Sequence, residues 1–458
     1  MIFNSLAFAV FFPIVTLFYF VLPFRFRWIW LLSASVFFYM FFKPIYILIL
    51  GITIVIDYYA GIYIEKAQGK KNKKLLLACS LVANIGVLVF FKYFNFLNAN
   101  ITSLGDLLGF KNNLPYLTIL LPVGLSFHTF QAMSYTIEVY RGHQPAEKQF
   151  GYYSLYVMYY PQLVAGPIER PQNVLHQFHQ KHHFDTNRFM SGLKVMLWGL
   201  FKKVVVADTL AAIVNDYYYN VYTTHTNSAL TIFFFSIQIY CDFSGYTDIA
   251  IGASRIMGIE LMKNFKYPYF SHTITEFWHR WHISLSTWFR DYLYIPLGGN
   301  KTKFHYIRNI LIVFLVSGIW HGASWTFVVW GLIHGLLSIA ERLLGVSKSK
   351  SVLMGVSTFI IVSLTWVFFR ADNFHVAAQM FHNLTYRYFS DVKHHSGQIL
   401  LVLLFLGIEY FTYKKGKELI FYLLNRKVVR YAAYLMVIEA ILFVFNQTTS
   451  QQFIYFQF

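Results

Sequence analysis

Blocks of apolar residues, each long enough to enter or cross a bilayer and joined by short polar connections, constrain this chain more than any single motif. They run near 5–23, 29–42, 46–63, 75–91, 114–139, 190–213, 228–254, 305–319, 322–340, 352–369, 397–413 and 431–446. A spanning helix takes ~20 such residues. A soluble domain carries about a quarter charged residues, whereas here 13% are charged and 57% hydrophobic. A soluble fold with that balance would need a vast core and almost no surface, so the soluble class is set aside. Several blocks are short or broken by Gly and polar residues, which favours tilted or re-entrant segments lining a cavity. The expectation is an all-α polytopic membrane protein, one integral domain over 1–458 surrounded by membrane lipid. Residues Ile2 to Leu22 read as a retained first span rather than a removed signal.

The net charge of +18 would point to nucleic acid in a soluble protein. In a membrane protein, Lys and Arg collect in cytoplasmic loops, and no nucleic-acid partner is expected. The runs Glu65 to Lys74 and Lys414 to Arg430 are the most basic, with Ser347 to Lys350 and Arg25/Arg27 on the same side. This predicts a chain whose N-terminus starts outside the cytoplasm. The span 431–446 then leads outward, so the tail 446–458, NQTTSQQFIYFQF, ends extracytoplasmically. From Arg141 to Arg188 and from Leu261 to His305 long spans disappear, and the sequence turns polar, basic and aromatic. These stretches read as a cytoplasm-facing rim of short interfacial helices. The two cysteines, Cys79 and Cys241, suggest neither a disulfide framework nor a metal cluster.

Three segments could carry chemistry. Thr275 to Asn300, TEFWHRWHISLSTWFRDYLYIPLGGN, packs Trp278, Trp281 and Trp288 with His279, His282, Arg280, Arg290 and Asp291. His279 and His282 are three apart, as are Trp278 and Trp281, so each pair would share a helical face. Interfacial anchoring explains the Trp and Arg, but less well the paired His and the YIPLGG stop. The segment SGIWHGASWTFVVWGLIHG sets His321 in a strongly apolar run between Gly318 and Gly322, with His334 as a weaker candidate. A lone His on an apolar face is often a packing residue; inside a membrane an ionisable group is a functional candidate. The glycines would let a substrate or another backbone approach.

The third segment is QIYCDFSGYTDIAIGAS, where Asp242, Ser244 and Asp248 interrupt an apolar stretch. Such groups pair or line a wet cavity. Nearby MYYPQLVAGPIERP is broken by Pro161, Gly166 and Pro167. No HExxH or paired CxxC spacing supports a metal. The cluster His176, His179, His182 and His183 reads as a solvated loop. No phosphate-cradling loop, nucleophile elbow or dinucleotide fingerprint stands out.

Taken in order, LPVGLSFHTFQAMSYTIEVYRG (121–142), PQLVAGPIERP (161–171), GLFKKVVVAD (199–208), CDFSGYTDIAIG (241–252), the run 264–300 and SGIWHGASWTFVVWGLIHG (317–335) resemble the membrane-bound O-acyltransferase superfamily. More narrowly they resemble the bacterial branch that O-acetylates extracellular polysaccharides such as alginate, and peptidoglycan. The motif-bearing core is 121–335. The resemblance implies a ring of tilted and re-entrant helices around a central funnel or tunnel in the bacterial cytoplasmic (inner) membrane. It also implies His321 as the catalytic histidine and His282 as a second functional one. Acetyl-CoA is the implied donor, a substrate rather than a bound cofactor. Arg280, Arg290, Lys202 and Lys203 are candidates for its phosphates, and Trp278, Trp281, Asp242 and Ser244 for further substrate contacts.

An imidazole kept neutral by burial can take a proton at neutral pH, as attack on a thioester requires. The hydrophobic FIYFQF tail either packs as an aromatic anchor or folds back and presents Tyr455 as an acyl relay to an extracytoplasmic O-acetyltransferase partner. The expected function is transfer of acetyl across the membrane for O-acetylation of an extracytoplasmic polysaccharide, peptidoglycan or alginate-like. The alternatives are D-alanine export for teichoic acid modification, a transporter or flippase without a covalent step, or a membrane scaffold.

Overall fold

The computed structural model describes residues 1–118, 122–163, 166–222, 227–346, 351–385, 389–447 and 453–454. Among these there are helices and no strands. Seven helices are long and apolar enough to cross a membrane: Tyr46–Lys66, Lys70–Leu108, Lys303–His321, Trp325–Leu343, Val352–Arg370, Ser396–Lys414 and Lys427–Gln447. Their outward faces are apolar. Leu400, Leu403, Leu404, Leu435, Met436 and Phe443 each expose more than half their surface. In water that would be a large exposed hydrophobic patch; in lipid it is the compatible surface. The chain is a multi-pass, all-α membrane protein.

Some apolar blocks are not single spans. Within 114–139 the helix starts only at Leu125, and residues 111–118 are irregular. Block 190–213 lies within Thr186–Leu200, a wide-turned π segment Phe201–Asp208, and Thr209–Tyr219. The two polar stretches do hold short elements, among them Phe150–Met158, Pro171–Phe178, Ile274–Arg280 and Ile283–Phe289. At ~1.5 Å per residue none of these could cross a bilayer.

The contacts divide the chain into two compact units, 1–190 with 253–262, and 191–252 with 263–458. In the first, polar groups buried among apolar helices satisfy one another, as a low-dielectric interior demands. Asp57 accepts from Ser80 (2.7 Å) and Asn84 (2.8 Å). The segment carrying Pro167 does structural work here: its buried Glu169 accepts the Met262 N–H at 2.5 Å. The histidine-rich loop is engaged with its surroundings, His179 resting on Tyr152 and pairing with Glu147 at 2.9 Å.

The second unit is built on close helix crossings. Thr186–Leu200 and Ser228–Met257 run antiparallel, with Gly199 against Gly245 and Gly192 against Gly252. A Cβ on Gly199 would lie 2.7 Å from the Gly245 carbonyl oxygen. Lys303–His321 turns back into Trp325–Leu343 through Gly322–Ser324, where Ser324 caps the second helix by accepting the Thr326 N–H (3.3 Å). Side chains at Gly318 or Gly331 would overlap the carbonyl oxygens of Phe327 and Phe314 respectively. Small residues at such crossings let the backbones touch. The glycine at Gly318 beside His321 thus admits another backbone, and Gly322 accommodates the Phe327 ring.

Gly331→Leu therefore forces the hairpin apart. We expect it to destabilise the protein by at least ~1–3 kcal/mol, read as a lower melting temperature in detergent. Gly407→Ala, where an added Cβ meets open space, should leave the melting temperature within error.

Candidate active site

His321 is the last residue of its helix and is 3% exposed. Three aromatic rings meet the imidazole steeply: Trp320 at 4.9 Å, Trp330 at 5.1 Å and Phe369 at 5.3 Å between centroids. Phe369 belongs to Val352–Arg370, which packs antiparallel to Trp325–Leu343 through Phe327–Phe369 (4.9 Å), Trp330–Trp366 (5.6 Å) and His334–Thr365 (2.9 Å). His321 therefore sits where one helix ends, the next begins and a third finishes.

His282 reaches the same place by a different route. Helix Ile274–Arg280 stops, Trp281 is extended, and His282 turns into the left-handed region at φ 44°, ψ 54° before Ile283–Phe289 begins. His279 and His282 consequently do not share a helical face. His279 is exposed and His282 is fully buried. Among the described residues only Tyr267 and His282 are non-glycines with positive φ, a conformation that costs energy and persists only when its surroundings impose it.

Asn264 imposes it. Its peptide oxygen accepts the Ile283 N–H (2.9 Å), and its side-chain oxygen accepts the Ser284 N–H (3.1 Å) and hydroxyl (2.9 Å). Because a peptide N–H can only donate, the oxygen of the Asn264 amide must face this turn. His282 Nδ1, 3.1 Å from that oxygen, then carries the hydrogen, and Nε2 carries the lone pair. Burial pushes the His282 pKa down to about 3, so the ring is neutral throughout the neutral range. It lies 4.7 Å from the Phe243 ring and 6.1 Å from that of Trp320. Trp320 thus touches both histidines.

His334 is a positioning residue. Its Nδ1 accepts from Trp278 Nε1 (3.3 Å), and Nε2 donates to Thr365 Oγ1 (2.9 Å), which donates to the Val362 carbonyl (2.7 Å). Both nitrogens are committed. Trp281 is buried in the same aromatic wall, stacked on Phe277 at 5.4 Å and against Trp366 at 5.1 Å.

Trp278 also faces a cavity of about 750 Å³. Its rim carries the exposed His279, Arg290 and Arg342 with the half-buried Glu341, so the basic groups outnumber the acid; its interior is mostly apolar, with Phe314 and the buried Ser317. Ser317 precedes His321 by four residues on one helix, so the two share a face. Such a cavity, apolar within and cationic at its mouth, suits a long ligand with an anionic end.

Arg280 pairs with Glu276 (2.5 Å) and covers the Tyr413 ring at 5.2 Å. Arg290 is on the cavity, its Nε bonded to Asp291 at 2.7 Å. Lys202 and Lys203 are buried and paired, Lys202 with Asp248 (2.6 Å), Lys203 with Asp208 (2.7 Å) and Asp242 (2.5 Å). These lysines neutralise carboxylates in the interior and are not presented to a phosphate. The wide π turn helps by setting Lys203 and Asp208, five apart, on one side. Ser244 is buried, and its hydroxyl has no hydrogen-bond partner among the described residues.

Asp242 has a second role. Its other oxygen accepts the Ile454 N–H at 2.7 Å. Phe453, also buried, packs on Tyr246 (4.6 Å) and on Phe243 (5.5 Å), the ring that meets His282. Two residues of the tail are therefore inserted into this unit. Tyr455, the expected relay, lies outside the described residues. Sequence reading missed Asn264, Ser317 and Arg342 as site residues; Asn264 stood inside a quoted stretch, but eighteen positions before His282 nothing ties the two.

Residues 143–369 match the model of the membrane-bound O-acyltransferase family. The chain is 39% identical over 389 residues to the probable alginate O-acetylase AlgI of Pseudomonas aeruginosa, covering 83% of this chain and 74% of that one. It belongs to the membrane-bound O-acyltransferase family. To the peptidoglycan O-acetyltransferase of Helicobacter pylori it is 35% identical over 421 residues, covering 83% and 79%. Similarity to the teichoic acid D-alanyltransferase of Bacillus subtilis is lower, 28% over 231 residues, covering 47% and 57%. The protein is thus a membrane-bound acyltransferase, and both buried histidines fall within the matched region.

His282→Asn separates backbone from chemistry, because Asn tolerates the left-handed turn but cannot accept a proton. Thermal stability should stay close to wild type, while acyl transfer falls at least ~10²-fold. Transfer within about threefold of wild type would exclude His282 from the chemistry.

Proposed function

We propose that this acyltransferase takes acetyl from cytoplasmic acetyl-CoA and moves it across the bacterial cytoplasmic membrane for O-acetylation of an envelope polysaccharide. The observation that carries the reading is the cavity that leads from a cationic rim to Ser317, one turn from His321. Its basic mouth is at the end of the hairpin that the positive-inside rule assigns to the cytoplasm. Arg290 and Arg342 replace Arg280, Lys202 and Lys203 as ligands for the donor's phosphates. The apolar interior takes the thioester arm.

In the proposed step an imidazole lone pair removes the proton of the accepting hydroxyl as its oxygen attacks the thioester carbonyl carbon. The C–S bond then breaks, and the thiolate leaves with the proton. His321, one turn from the cavity's Ser317, takes that proton, and His282, which burial keeps neutral but makes a weak base, assists beside Trp320. The names borne by the relatives, alginate and peptidoglycan O-acetylating enzymes, support a sugar hydroxyl of an envelope polysaccharide as the final acceptor. An extracytoplasmic transferase completes delivery, and the burial of Phe453 and Ile454 supports a tail that returns into the protein, with Tyr455 as a carrier.

Purified protein should release coenzyme A from acetyl-CoA, and His321→Ala should reduce the rate at least ~10²-fold. Release unaffected by that change, or acetyl-CoA crossing a vesicle membrane intact, contradicts the reading. For the relay, intact-mass analysis after donor exposure should find an acetyl adduct that Tyr455→Phe loses; identical labelling of both proteins removes Tyr455 from the path.

A further inference from the structure

A second cavity lies beside the end of the helix that packs against His321. The hairpin and the helix Val352–Arg370 bring Phe369 against the His321 ring, and Thr326 Oγ1 donates to the Ala371 carbonyl at 3.4 Å. Just past Phe369 the chain borders a cavity of about 420 Å³ lined by Asn215, Asp216, Tyr218, Tyr219, Arg370 and Asp372. The first cavity's rim lies by Tyr306 and Arg342, near the start of one helix and the end of its neighbour. The second lies at the opposite end of this layer, where the His321 helix finishes.

Its lining is unusual for a membrane protein's packing surface. Arg370 rests over the Tyr218 ring at 5.0 Å and donates to Asn215 Oδ1 at 2.9 Å. Among the described residues no carboxylate lies within ion-pair reach of it, although Asp216 and Asp372 border the same space. Tyr218 is 7% exposed, and its hydroxyl has no hydrogen-bond partner among the described residues. Tyr219 is 89% exposed and offers a flat ring at the opening.

We infer that this cavity is an acceptor-side subsite for a neutral, polyhydroxylated sugar unit. Arg370 engages sugar oxygens, Asp216 and Asp372 accept from sugar hydroxyls, and Tyr219 covers the apolar face of the ring. One arginine against two aspartates leaves the lining with a single net negative charge, which disfavours a uronate by like-charge repulsion. The assignment rests on the reading that acetyl leaves past His321, and it gives the chain itself a hold on the glycan.

Calorimetric titration of the full-length protein in lipid nanodiscs with a neutral N-acetylhexosamine oligomer and a uronic-acid oligomer of equal length tests it. The neutral oligomer should bind, and the uronate at least about tenfold more weakly. Arg370→Gln and, separately, Asp372→Asn should each weaken neutral binding about tenfold, and Asp372→Asn should narrow the discrimination against the uronate. Asp372 is exposed, so that variant remains informative if loss of Arg370 disturbs folding. No binding of the neutral oligomer, equal binding of the uronate, binding only of a hydroxyl-bearing peptide, or unchanged affinity in both variants would overturn the assignment. Coenzyme A release by wild type is measured in parallel: its absence with sugar binding intact sinks the donor reading and leaves the subsite.

Discussion

The backbone contact between Gly318 and Gly331 fixes where everything else in the site can be. Two antiparallel helices approach there until a single added carbon would overlap a carbonyl oxygen, and a three-residue turn joins them. That closeness sets Trp330 against His321 and His334 against Trp278 and Thr365. Val352–Arg370 then packs on the second helix with Trp366 and Phe369 facing the same imidazole. Aromatic rings thus flank the imidazole on several sides. Within a lipid-embedded protein such packing has to supply the precision that solvent exclusion supplies elsewhere.

Polar groups obey the complementary constraint, that a buried charge or amide must be answered inside the fold. Lys203 answers Asp208 and Asp242, Lys202 answers Asp248, and Asp242 has capacity left to bind the tail backbone. Asn264 answers three groups around one turn and in doing so selects the tautomer of His282. The tail contact links these two systems, since Phe453 rests on the ring that rests on His282. Changes at Phe453 are thereby one side chain removed from His282.

Much of this was legible from residue order. Apolar block length gives the spans, and an ionisable residue in SGIWHGASWTFVVWGLIHG marks His321. The part that was not legible has physical reasons. Three-residue spacing suggests that His279 and His282 share a face, but a left-handed His has no spacing signature; a distant Asn creates it. Adjacent lysines read as a phosphate site because charge in a sequence carries no partner, and their partners are contributed by π-turn geometry and by a second helix. Glycines flanking a histidine read equally well as room for substrate or for backbone, and here they make room for backbone and an aromatic ring. Arg342 and Arg370, at the ends of two spans, look like ordinary interfacial anchors until the cavities beside them are seen.

In the proposed mechanism donor and acceptor meet His321 from opposite sides of the membrane. The most direct test uses sealed vesicles of known orientation, with acetyl-labelled acetyl-CoA on the cytoplasmic face and the envelope polymer with its extracytoplasmic transferase enclosed on the other. Labelled ester should form on the enclosed polymer, with coenzyme A left on the donor side. Ester formed only when donor and polymer share one side would contradict that mechanism.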